Sequence, residues 1–156
     1  MKKYYFLAIL FLVISLTSSR MLQAQQLPLT WQPGMMLSIT TSGGMRPHTH
    51  TIVISDADSF ESNSGEGDND HVSFSVTQAE LDSLLAFLHK KHFTKITAVR
   101  RKHIMHDMGT TTMELHWDGR VTAISTGASM EAAAPYLKDK SAIDNYIWQL
   151  VAAKKK

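Results

Sequence analysis

The chain has 156 residues, with 16 Lys and Arg, 14 Asp and Glu, eight His and no Cys. Without cysteine, the chain can have neither a disulfide framework nor a thiol nucleophile, nor the lipidated cysteine that anchors an exported lipoprotein. A chain of this length can bury the core of one domain but is too short for two domains of ordinary size.

The first 24 residues have the features of a signal peptide in the expected order. Lys2 and Lys3 give a positively charged start, and an apolar run over residues 4–16 follows. That run falls short of the roughly 20 residues of a membrane-spanning helix, and Ala24 supplies the small residue that a signal peptidase requires before the cut. We therefore expect cleavage after Ala24 and a single mature domain over residues 25–156, exported to the periplasm or secreted, with no stable membrane anchor.

Loss of the leader changes the charge of the protein. It removes Lys2, Lys3 and Arg20, so the 16 basic residues fall to 13 while all 14 acidic residues stay, which gives a net charge of −1. The positive charge of the whole chain is thus carried by the leader and gives no support for a nucleic-acid partner.

The mature chain begins with a predicted hairpin. Apolar and polar residues alternate over 35–41 and again over 49–55, which indicates two strands, and Gly43 and Gly44 between them favour a tight turn. A turn at these glycines sets the register of the pairs, which are Ile39 with His48, Leu37 with His50 and Met35 with Ile52. Both histidines are then predicted to share a face with apolar residues.

An acidic segment over residues 56–70 follows and contains no Lys or Arg. Its Asn, Ser and Gly content predicts a mobile loop after a short strand over residues 59–62. Alternation over 72–76 then predicts a half-buried strand.

A capped helix comes next. Thr77 and Glu80 have the spacing of a capping box, in which each side chain bonds a backbone N–H of the first turn. A leucine stripe at helical spacing follows, formed by Leu81, Leu84, Leu85 and Leu88. His89 and His92 near its end have no Glu between them, so we interpret them as a solvated helix end.

The second half of the chain repeats the order of strands and helix. After a basic stretch over residues 95–102, alternation around Trp117 and over 121–125 predicts a hairpin that turns at Asp118 and Gly119. A final helix is predicted from the stripe Ile143, Tyr146, Ile147, Leu150 and Val151. The fold class is therefore α+β, an antiparallel sheet of about six strands with two amphipathic helices on one face.

Three features together resemble small exported bacterial α+β domains of uncharacterised function. They are the Gly43-Gly44 turn, a short strand before a capped leucine helix that ends near Phe93 and Ile96, and a lead-in over residues 107–112 to the Trp117 strand. The resemblance covers most of the mature chain. It implies a compact extracytoplasmic domain, and it implies neither an activity nor a site residue.

Histidine and methionine form two clusters that could bind a metal ion. The first contains Met45, His48 and His50, and the second lies within residues 103–108 and includes His103 and His106. Imidazole with thioether suits copper(I), and imidazole with carboxylate suits zinc or copper(II). Residues 48 and 50 point the same way on an extended strand, so one ion could contact both rings. A neutral hydrogen-bonding role in a strand or loop is the alternative for each histidine.

Support for catalysis is weak. The sequence has no nucleophile elbow, phosphate loop, dinucleotide fingerprint or zinc-protease motif. Two histidines have carboxylates close by in sequence, His106 with Asp107 and His116 with Asp118. Adjacent residues on a strand point to opposite faces, so sequence neighbours are poor candidates for a catalytic pair. Asp118 is also already explained by its turn.

We predict no catalytic residue and a non-enzymatic binding or interaction module for an unknown protein or small ligand. The alternative is a periplasmic or secreted copper or zinc binder that uses His48, His50, His103 and His106.

Overall fold

The computed structural model describes residues 27–44, 48–65, 69–105 and 108–155. The proposed leader lies outside these residues, as do Met45, His106 and Asp107. No helix in the described part of the chain is long and apolar enough to cross a membrane.

The described residues form an α+β domain, as predicted. A six-stranded antiparallel sheet has the order β4, β3, β2, β1, β6, β7, two short strands pair as β5 with β8, and two helices cover one face of the large sheet. The elements are β1 (Met36–Ser42), β2 (His48–Ser55), β3 (Ser59–Gly65), β4 (Asn69–Phe74), α1 (Gln78–Lys90), β5 (Ala98–Arg100), β6 (Thr110–Trp117), β7 (Arg120–Gly127), β8 (Met130–Ala132) and α2 (Leu137–Lys154).

The core lies between the helices and one face of the sheet. Alternate residues of the central strands point towards the helices and are buried, as period-two alternation requires. The leucine stripe of α1 and three residues of α2 cover them. The fully buried members include Leu37, Ile52, Ile54, Leu81, Leu84, Leu85, Leu88, Met113, Leu115, Ile143 and Ile147.

The two helices run antiparallel and are tied at both ends. The Lys154 Nζ lies 2.7 Å from the Glu80 carboxylate, and the Lys91 Nζ lies 3.2 Å from Asp139. The predicted capping box at Thr77 is confirmed. Lys154 and the capping hydrogen bonds from Thr77 together lower the pKa of Glu80 to about 2.

The predicted hairpin of β6 and β7 and its turn are confirmed. Asp118 and Gly119 have positive φ angles of 48° and 67°, which a type I′ turn requires, and Trp117 pairs with Arg120. Glycine adopts this conformation without strain, and aspartate tolerates it better than most residues.

The predicted register of the first hairpin is wrong. Ile39 pairs with Ile52 and Thr41 with His50, because the connection runs from Gly43 to residue 47 and is longer than a two-residue turn. The pairing is shifted by four residues, an even number, and an even shift leaves every side chain on the same face. His48 and His50 therefore do lie on the helix-covered face, as predicted.

The acidic segment is mostly strand rather than loop. Residues 59–65 form β3 and residues 69–74 form β4, joined in an antiparallel hairpin. β4 starts earlier than predicted and is largely exposed, because it is the edge strand of the sheet. Polar residues on both faces of this hairpin conceal the alternation that identifies the other strands.

The segment before β1 is part of the core, which the sequence analysis does not predict. Leu27 and Trp31 are buried against α1, and the Trp31 backbone N–H donates to Asp82 at 2.7 Å. The ring of His89 donates to the Pro28 carbonyl at 2.9 Å. His89 is thus a structural hydrogen-bond donor, and its interpretation as part of a solvated helix end is wrong.

Candidate functional site

The topology brings His48 and the described residues before β6 to one end of the sheet. β1 ends at Ser42 where β2 and β6 begin, and Thr110 at the start of β6 pairs with Gly127 at the end of β7. The described residues that follow or precede these strand ends are 43–44, 101–105, 108–109 and 127–129. We refer to them together as the loop end.

Three glycines hold the loop end together through direct backbone contact. A Cβ at Gly109 would lie 2.8 Å from the Ser42 carbonyl oxygen, and a Cβ at Gly127 would collide with the carbonyl of Gly109. Gly43 also lies against Gly109, since a Cβ at Gly43 would be 3.6 Å from the Gly109 Cα. Any side chain at Gly109 or Gly127 would push the segments apart.

The segment after β5 is fixed to the loop end by Arg101. Its backbone N–H donates to Ser129 and its Nε donates to the Gly127 carbonyl, both at 2.9 Å, and its guanidinium lies 3.2 Å from Glu131. The Met105 N–H donates to Ala128 at 3.0 Å. The segment therefore has a defined conformation at both ends, which positions the side chains between them.

The exposed side chains from Val99 to Met108, within the described part of the chain, are both apolar and basic. Val99, Ile104, Met105 and Met108 are 43–49% exposed, which is unusual for large apolar residues and is concentrated here within ten positions. The exposed residues between them are Arg100, Lys102 and His103. We call these seven residues the basic-apolar surface.

A second unusual arrangement lies on the helix-covered face. Glu61 on β3 is only 7% exposed, and its Oε1 lies 2.7 Å from the Nε2 of His50 on β2. Its other oxygen, Oε2, contacts the Nζ of Lys155, just beyond the end of α2. The ring of Trp148 stacks on His50 with the centroids 5.2 Å apart and the planes 9° from parallel.

The charge of Glu61 is stabilised by these contacts. Burial raises the pKa of the Glu61 carboxyl group, but the hydrogen bonds from Lys155 and His50, together with the positive charge of Lys155, outweigh burial and lower the pKa below 4.5. The side chain is therefore a carboxylate at neutral pH.

The structure does not bring the predicted metal ligands together within the residues that it describes. His103 belongs to the basic-apolar surface, His50 contacts Glu61, and His48 is exposed at the start of β2. His106 lies outside the described residues. Within the described ranges no three His, Cys, Asp or Glu side chains are close enough to hold a metal ion by themselves.

The pairs considered for catalysis are not formed as the sequence suggests. His116 contacts Glu114 at 3.2 Å rather than Asp118, which is 85% exposed in its turn. His106 and Asp107 are not described.

A cleft of about 240 Å³ opens at the other end of the sheet. It is lined by residues 55–59 and 73–76, which are Ser, Asp, Ala, Phe and Val and include no histidine.

Sequence reasoning missed Glu61, Trp148 and Lys155. Glu61 falls within the predicted strand over residues 59–62, but the sequence does not indicate that its carboxylate is buried against His50 and Lys155. Trp148 lies within the span of the predicted apolar stripe but is not one of its members, and Lys155 is separated from Glu61 by most of the chain. Only the tertiary structure brings these three residues together.

Comparison with known protein families and with curated proteins found no match to this chain. The functional argument therefore depends on the geometry described above.

Proposed function

We propose that the mature protein is an exported, non-enzymatic interaction module that binds another protein through the basic-apolar surface. The observation that carries the proposal is the concentration of exposed Val99, Ile104, Met105 and Met108 on a segment tied to the sheet. Exposed apolar surface of this kind favours association, because burying it in an interface removes it from water.

The charges indicate the kind of partner. Arg100 and Lys102 are exposed beside the apolar side chains, whereas Arg101 is paired with Glu131. A partner with acidic residues around an apolar centre would complement both properties, and charge complementarity would speed their encounter.

A folded protein suits this surface better than a lipid bilayer. Side chains that enter a bilayer must protrude from the protein, whereas each of the four apolar residues has half or more of its area covered. Partly covered side chains on a fixed backbone offer a preorganised surface, which lowers the entropic cost of docking.

Site-specific photocrosslinking in the producing cells tests the proposal. A photoreactive residue at Ile104 should crosslink to a discrete protein, and the double change Arg100→Glu, Lys102→Glu should abolish that product. Leu137 is a matched control, since it is 45% exposed against 49% for Ile104 but lies on α2. Equal crosslinking from both positions, or binding of the purified domain to anionic vesicles instead, would contradict a protein-docking role.

A second candidate function is supported by the placement of the histidines. The two clusters are far apart in sequence, yet His48 and His103 belong to segments that meet at or beside the loop end. We propose as the alternative a copper- or zinc-binding protein that uses His48, His50, His103 and His106. Imidazole and thioether are its softest available ligands, because the chain has no cysteine.

Calorimetric titration tests this alternative with zinc, and with copper(I) under reducing conditions. The parent domain should bind at least one of these ions, and the double variant His48→Ala, His50→Ala should bind it more weakly. Equal binding by the double variant would remove this pair from the site.

A further inference from the structure

One edge of the large sheet is open in the described part of the chain. β4 is the last strand of the sheet and pairs there only with β3, whereas β7 at the opposite edge has β5 and β8 packed against it. Residues 69–73 are exposed. In an antiparallel pair, alternate residues direct their N–H and C=O groups away from the partner strand. About half of the backbone groups of β4 therefore point outwards.

β4 lacks the usual features that prevent an edge strand from pairing with another chain. Such edges are commonly blocked by proline, by lysine, by a β-bulge or by very short length. β4 has six residues, none of which is proline or lysine. They pair one-to-one with β3 from Asn69 to Phe74, so the register contains no bulge. The backbone of β4 is therefore able to accept an added strand.

The side chains along this edge favour a basic partner. Asp70 lies near the start of β4, and the cleft beside the end of β4 is lined by Asp56 and Asp58. All three carboxylates are exposed, and none of them forms an ion pair with another described residue. Val72 lies between Asp70 and the cleft and is 43% exposed. The edge thus has an apolar centre with negative charge at both ends.

Strand geometry sets the spacing of a sequence that would fit this edge. Asp70, Val72 and Phe74 alternate along β4 and share the helix-covered face, and Phe74 lines the cleft. Residues of an added strand that lie directly opposite them share the same face. The matching side chains are a basic residue, an apolar residue two positions on and a second basic residue two positions further. This pattern is the same in either chain direction.

We propose that β4 binds an extended segment of a partner protein that has this basic and apolar pattern, as an added strand of the sheet. Backbone hydrogen bonds supply the affinity, and the alternate side chains supply the specificity. The β4 edge is separate from the basic-apolar surface, which lies on the β7 side of the sheet. The inference therefore does not depend on the docking function proposed above.

A second copy of this chain fits the same edge less well. Antiparallel pairing of two β4 strands would bring the cleft of each copy beside Asp70 of the other. Asp56 and Asp58 would then face a like charge at both ends of the pair, which is destabilising. A basic segment from another protein avoids this repulsion.

The first experiment uses the unmodified mature protein and a short fluorescent peptide in which Lys, Val and Lys alternate with Thr. Fluorescence anisotropy should show binding, and the same peptide with Glu in place of both Lys should not bind. One further form is N-methylated on the Lys and Val amides and another on the Thr amides. Only one of these two sets can face β4, so one form should bind at least about tenfold more weakly than the other. Equal affinity of the two forms, or no binding of the unmethylated Lys peptide, would overturn strand addition.

Substitutions in the protein test the charges. Asp70→Asn should weaken binding of the Lys peptide about two- to fivefold, as expected for an exposed ion pair, and Asp118→Asn should leave it unchanged. Asp118 is a matched control, because it is an exposed aspartate in the turn between β6 and β7, near the opposite edge of the sheet. Equal effects of the two substitutions would overturn the contact with Asp70. Circular dichroism verifies that both variants are folded.

Sedimentation velocity tests the identity of the occupant. The mature protein should remain a monomer at the concentrations where the Lys peptide binds. A dimer that the peptide dissociates would mean that a second copy occupies the edge, and it would overturn the assignment to a basic partner.

Discussion

The two histidine–glutamate pairs of this sheet differ in their surroundings more than in their chemistry. His50 and Glu61 lie on the helix-covered face, 13% and 8% exposed in their side chains, with Lys155 and Trp148 around them. His116 and Glu114 lie on the uncovered face, 33% and 39% exposed. From this comparison we expect burial and additional partners, rather than residue identity, to decide how much each pair contributes to stability.

The largest expected effect is the loss of Glu61 itself. Glu61→Ala should lower the free energy of unfolding by about 2 kcal/mol at pH 7, because His50 and Lys155 lose their acceptor in a largely buried site. Urea unfolding of the mature domain measures this, provided that the slope of the transition is unchanged.

Glu114→Ala is the matched control for that measurement. It should change the free energy of unfolding by no more than about 0.5 kcal/mol, as is usual for solvent-exposed pairs. Equal effects of the two substitutions would mean that burial does not distinguish the pairs.

The stacked indole should contribute less than the carboxylate. Trp148→Ala should lower the free energy of unfolding by about 1 kcal/mol, since an aromatic stacking pair contributes roughly 0.5–1.5 kcal/mol and Trp148 is already 46% exposed. The same substitution should broaden or shift the NMR signals of the His50 ring and leave those of His116 in place. Unchanged His50 signals would show that the ring is held without the indole.

The smallest expected effect is a dependence of stability on pH. The pKa of Glu61 is lowered in the folded state from an ordinary 4.5, so its charge stabilises the fold fully above about that pH. This contribution is lost as the pH falls through the lower folded value. The stability difference between the parent and Glu61→Gln should therefore shrink below pH 4.5. A difference that stays constant from pH 7 down to pH 3 would contradict this assignment.

Most of the fold follows from local sequence patterns. The capping box at Thr77, the leucine stripe and the Asp118-Gly119 turn each depend on residues close together in the chain, and all three are confirmed. The register of the first hairpin depends on the conformation of a five-residue connection, which the glycine pair alone does not determine. Strands are predicted over residues 59–62 and 72–76, but the polar residues 63–65 and 69–71 carry no hydrophobic signal and are predicted as part of a loop, so the pairing of β3 with β4 is missed.

The candidate sites were predictable only in part. His48, His50 and His103 stand out by composition, and the same-face placement of the first two follows from strand geometry. Glu61 and Lys155 are far apart in sequence and meet only because α2 crosses the helix-covered face to end near β3. The exposure of Ile104 and Met105 likewise depends on where the backbone of Arg101 is anchored.

The backbone contact among Gly43, Gly109 and Gly127 determines which residues near the loop end can be substituted. Because side chains take no part in this contact, we expect that residues 102–104 can be randomised in a display library without disturbing it. The three glycines and Arg101 must be kept. Selection from such a library would yield domains with new binding partners on an unaltered sheet. The protein is thus a candidate scaffold for engineered recognition, with its variable part confined to a short segment.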